Sequence, residues 1–152
     1  PEHEILRFWR EIERTGVFEF DSKRLEDEQY RTAVELAGSR CWEQLNTTQA
    51  RQWWDALGSR QATTLNGVKL KAVLAAKTNN RLDAIRLARR YMSENESAGK
   101  TFVRFMLKSV VMEPTQFKAR PWRTPFPTVS DIFDRLYQLR EVKQTDQTTG
   151  GG

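Results

Sequence analysis

Residues 45–60 read LNTTQARQWWDALGSR, and this stretch decides the fold class. Asn46 is a strong helix N-cap, and Gln49 stands three residues on, where a capping-box partner belongs. Ala50, Trp53, Trp54 and Leu57 then recur at three- and four-residue steps, and Gly58 marks an exit. That is a capped amphipathic helix with nothing strand-like in it. Neighbouring helix residues diverge by about 100°. Trp53 is therefore expected mainly in the core, while Trp54 stands open between a core edge and a stacking surface. Arg51 projects near the helix start, where a phosphate also meets free N–H groups.

The same period runs outward in both directions. Ile5, Phe8, Trp9 and Ile12 form one stripe, and Gly16 can close that helix. A short apolar turn, Val17 to Phe20, leads to Asp21 or Ser22 as the cap of a long helix carrying Leu25, Tyr30, Ala33, Val34, Ala37 and Cys41. Downstream, Val68, Ala72, Val73 and Ala76, widened by Leu70 and Leu74, mark another helix. Leu82, Ile85, Ala88 and Met92 mark the next, and SENESAGK reads as a loop. Phe102, Phe105, Met106 and Val110 then point inward until Pro114 stops the helix. Three prolines between Pro121 and Pro127 require an extended arm, after which Ser130 or Thr128 caps a last helix with Ile132, Phe133, Leu136 and Tyr137 inward. The expectation is an all-α helical bundle of five to seven helices with a Pro-rich extended arm before the last helix. Residues 1–143 read as a single helical domain, with a core at 18–112, the arm at 118–128 and the C-terminal helix at 129–142. Residues 144–152 read as a flexible tail or linker.

Composition narrows the function classes. At 152 residues the chain can bury its own core, and 38% apolar against 30% charged residues leaves a large wet surface. No run of about 18 apolar residues offers a membrane span, and no secretory leader is visible. Cys41 is the only cysteine, so no internal disulfide is available, which favours a reducing, cytoplasmic location. The net charge of +5 is unevenly spread. Residues 1–59 carry 8 basic and 12 acidic side chains, whereas residues 60–110 carry 11 and 3. An excess gathered in the central third is the footprint of a polyanion.

Catalysis has little to work with. His3 is the only histidine and lies far in sequence from Cys41, so a His-assisted nucleophile lacks its constellation. One Cys and one His cannot close a zinc site. The AGK at 98–100 lacks the earlier glycine of a phosphate loop. Glu26, Asp27 and Glu28 are consecutive and diverge on a helix, so they read as a solvated first turn. No catalytic residue, metal or cofactor is expected; a binding role is.

The binding candidates are cations at helical spacing. Arg86 and Arg90 are four apart, with Arg89 three from Arg86; Arg104 and Lys108 repeat the step on the following helix. Lys69, Lys77 and Arg81 lie in the same region of sequence. A row of this kind tracks a phosphate backbone without reading sequence, although each member alone reads equally well as a solvated side chain. Trp122, between Arg120 and Arg123 in the Pro-stiffened arm, can stack on a base or dock on a partner; docking by Trp122 and Arg123 is the preferred reading.

Taken in order, these features resemble the small helical subunit of type III CRISPR–Cas effector complexes. The likeness covers roughly residues 18–112. It rests on Leu45, Thr47, Thr48, Gln49 and Arg51 at the cap, on a following helix that ends in Lys77, and on the Phe102–Phe105 pattern of the closing helix. Lys77 stands where that family tends to have arginine. The family's Ala-Tyr-rich closing stretch is absent after Phe105, and the proline arm and last helix fall outside its pattern. The resemblance implies a non-catalytic, RNA-binding subunit, free-standing or fused within a larger effector chain. Its partners would be target RNA and guide RNA, CRISPR effector backbone subunits or domains, and further copies of itself, with no membrane. A helical DNA-associated regulator and a protein-interaction adaptor with a basic face are the alternatives.

Overall fold

A computed structural model describes residues 2–95 and 97–110. Among the described residues there are six α-helices and no strand, as the all-α reading expects. They are α1 (Glu2–Thr15), α2 (Glu28–Cys41), α3 (Thr47–Leu57), α4 (Leu65–Lys77), α5 (Arg81–Glu94) and α6 (Lys100–Val110). The Pro-rich arm at 118–128, the helix expected at 129–142, the tail, Trp122 and Arg123 lie outside the described residues.

Local chemistry sets most boundaries. Gly16, at φ 87°, donates its N–H to the Ile12 carbonyl at 2.8 Å and ends α1. The α3 capping box is complete: Gln49 N–H donates to Asn46 Oδ1 at 2.8 Å, and Asn46 N–H donates to Gln49 Oε1 at 3.0 Å. Asn79 turns the chain between α4 and α5 at φ 62°, a left-handed geometry that asparagine tolerates better than most residues.

One boundary differs from expectation. The long helix expected from Asp21 or Ser22 is two elements. Asp21 caps only a 3-10 turn, Ser22–Arg24, and Asp27 caps α2 by accepting from Gln29 N–H at 2.9 Å. Two competing caps lie close together, so the chain kinks between them. The kink buries Leu25 completely, and Arg31 Nη1 clamps it by donating to the Leu25 carbonyl at 2.6 Å.

The core forms around α4. Val68, Leu70, Ala72, Val73, Leu74 and Ala75 are all buried, so α4 is apolar nearly all round. A helix of that kind must be enclosed, and α2, α3, α5 and α6 all pack on it, while α1 packs on α2. Close approach is built in at Gly38, where a Cβ would lie 2.6 Å from Leu70 Cδ2 and 2.9 Å from the Trp53 ring. Two aromatic clusters fill the ends. Phe18 stands 4.4 Å from Phe8 and 5.0 Å from Trp53, centroid to centroid. Tyr91 lies 5.0 Å from Phe102, and Trp42 lies 5.1 Å from Phe105. Trp53 is thus core, and Trp54 is half-buried with its indole folded over Gly58.

Candidate nucleic-acid interface

The amphipathic pattern of α5 and α6 places their cations. On α5 the buried residues are Ala84, Ile85, Leu87, Ala88 and Tyr91, which leaves Arg86 and Arg90 on the exposed side. On α6 the buried residues are Phe102, Met106 and Val110, which leaves Arg104 and Lys108 exposed. The two helices pack against each other. Arg86 Nη2 reaches Asp83 Oδ1 at 2.6 Å, and Arg90 Nε lies 3.6 Å from Glu94 Oε1. Both are single-turn pairs on a solvated surface, which hold their partners weakly. Arg89 is half-buried on the same helix, and Arg51 is exposed on α3.

The α4 lysines divide into two groups, because residues two apart on a helix face nearly opposite ways. Lys69 and Lys77 lie on the side of Glu43. The Lys69 ammonium stands 5.9 Å from the Phe102 ring centroid. The Lys77 ammonium is used inside the fold: it donates to the Trp42 carbonyl at 2.7 Å and the Leu45 carbonyl at 2.6 Å, between the rings of Trp42 and Phe105. Burial lowers the pKa of both lysines, and Glu43 opposes that shift. Arg81 is half-buried, with its Nε shut off from solvent and without a hydrogen-bond partner.

Lys71 lies on the other side, and the sequence reading did not single it out. Its ammonium donates to the Arg60 carbonyl at 2.6 Å. Burial lowers its pKa first of all; Arg86 and Arg90 push the same way, while Glu35 and Asp83 oppose them. Arg86 and Arg90 therefore act on a third cation from the neighbouring helix. The signal was present in KLK, 69–71, but spacing alone does not say which lysine faces α5.

A second feature went unread. Glu35, only 2% exposed, accepts from Thr63 N–H and Oγ1–H and from Thr64 N–H and Oγ1–H, over 3.0–3.3 Å. Thr64 in turn caps α4 by accepting from Gly67 N–H at 3.1 Å. Gly67 leaves room for the Glu35 carboxyl group, which a Cβ there would strike. These bonds from Thr63 and Thr64 tie α2 to the start of α4. The Cys41 thiol is buried, which pushes its pKa up to about 11 and keeps it a poor nucleophile. Among the described residues no three His, Cys, Asp or Glu side chains gather as metal ligands, and no helix is long and apolar enough to cross a membrane.

No family model, curated protein or solved structure matches this chain.

Proposed function

We propose that this chain is a non-catalytic RNA-binding subunit, or a domain with that role, in a type III CRISPR ribonucleoprotein. It lies beside the guide–target duplex and holds target RNA through phosphate contacts. The observation that carries the reading is the set of exposed cations opposite the buried stripes of two packed helices: Arg86 and Arg90 on α5, Arg104 and Lys108 on α6. Like charges gathered on one segment repel each other in the free protein, and a polyanion relieves that repulsion while releasing its own counterions. The order of cap, central helix and closing helix that resembles the small-subunit family supports the RNA assignment.

The test is binding of a labelled single-stranded RNA to the wild type and to a variant carrying Arg86→Glu with Arg90→Glu, with helicity checked by circular dichroism. The proposal expects tight RNA binding by the wild type, little preference among base sequences, and at least a tenfold loss in the folded variant. Strong discrimination between a specific DNA duplex and its scrambled form would favour a DNA regulator instead. Unchanged RNA binding by the folded variant would remove α5 from the interface.

A further inference from the structure

We propose that Lys71, Arg86 and Arg90 form one phosphodiester-binding site for RNA, and that Asp83 and Glu94 fill it with their carboxylates in the free protein. The inference rests on the RNA-binding reading and adds a residue and a regulating pair to it.

Three observations converge. First, Lys71 is a positioned charge. Its side chain is half-buried, and its ammonium is anchored on the Arg60 carbonyl at 2.6 Å, with hydrogens left for another acceptor. Second, α4 and α5 pack against each other, which brings Arg86 and Arg90 into the electrostatic reach of Lys71. The two arginines stand one helical turn apart, about 6 Å along the axis. Third, each arginine already holds an oxyanion. Asp83 Oδ1 meets Arg86 at 2.6 Å, and Glu94 Oε1 faces Arg90 at 3.6 Å. A carboxylate and a phosphate present the guanidinium fork with the same kind of acceptor. The Arg86 and Arg90 side chains are 64% and 50% exposed, an open row suited to a strand lying across it rather than to an enclosed small ion. Glu35 also acts electrostatically on Lys71, but its own hydrogen bonds hold it on Thr63 and Thr64.

On binding, each guanidinium exchanges its carboxylate for a phosphate oxygen, and the released carboxylates turn to water. The two acids then weaken RNA binding in the resting protein. Removing them should strengthen binding, whereas removing Lys71 should take away one phosphate contact.

The experiment measures affinity for a uridine oligoribonucleotide against salt, using five proteins: wild type, Lys71→Gln, Lys71→Arg, the pair Asp83→Asn with Glu94→Gln, and the pair Arg86→Glu with Arg90→Glu. The expected result for Lys71→Gln is a several-fold weaker affinity and a log–log salt slope shallower by about 0.7, with Lys71→Arg close to wild type. The acid-to-amide pair should bind several-fold tighter. A purely structural Lys71 would shift the melting temperature and leave the slope alone. If Arg86→Glu with Arg90→Glu abolishes binding while Lys71→Gln keeps the wild-type slope and the amide pair gains nothing, the inference fails and the RNA-binding reading stands. If the arginine reversal changes nothing, the inference fails and α5 leaves the interface; if the wild type does not bind the RNA at all, the RNA-binding reading fails with it.

Discussion

Glu35 places the heaviest single demand on this fold. It is a carboxyl group with almost no access to water, and its cost is offset only because four N–H and O–H groups from Thr63 and Thr64 converge on it. Replacing it with alanine strands two backbone N–H groups at the start of α4. The expected loss is about 3 kcal/mol, read as a lower urea midpoint with an unchanged slope. Cys41 carries the opposite kind of constraint. Its thiol is buried, so its pKa stands at about 11 instead of 9.0, and the thiolate is scarce at neutral pH. A folded-state pKa raised in this way contributes stability that is complete below pH 9.0 and is lost as pH climbs toward about 11. The native protein should therefore resist a disulfide reagent at pH 8 and react at once when unfolded in denaturant, a contrast that a colorimetric thiol assay measures directly. Fast reaction of the native protein would place Cys41 outside the core.

Between elements, the joints matter more than the helices. Lys77 ties the last turn of α4 to the 3-10 turn Trp42–Gln44 through two carbonyls. Lys77→Met keeps the stem but takes the donor from the Leu45 carbonyl and leaves the Trp42 carbonyl with only the Leu45 N–H, so it should cost about 2 kcal/mol and lower the melting temperature. The salt slope of RNA binding should stay at the wild-type value, since the ammonium is turned into the fold. A shallower slope would return Lys77 to the interface. These joints also explain what the sequence could and could not disclose. Asn46 and Gln49 act within one helical turn, so the α3 cap was legible from spacing alone. The stripes of α4 and α6 were legible because a 3.6-residue period is a local property. The break before α2 was not, because Asp21 and Asp27 are equally good caps and only the burial of Leu25 chooses to use both. Glu35 was illegible for a stronger reason. Its partners lie 28 and 29 residues away, and no helical period encodes a contact at that range.

For the molecule as a whole, the sequence located the charge but not its direction. The basic block at 60–110 was plain from counting. Its division was not: Lys77 turns inward, Lys69 lies against an aromatic ring, and Lys71 is half-buried with its ammonium on the Arg60 carbonyl. Arg86, Arg90, Lys100, Arg104 and Lys108 stay exposed, and the proposed function gives a phosphate backbone to Arg86, Arg90, Arg104 and Lys108. About four phosphate contacts from these cations on a single strand, before any contact by Lys71 is added, correspond to a log–log salt slope near −3. The most direct test is the affinity of wild-type protein for single-stranded RNA across a salt series. A linear plot at least that steep is expected, equivalent to roughly a 50-fold loss or more between about 50 and 200 mM salt. A flat plot, with RNA held equally well at both ends of the series, would contradict it.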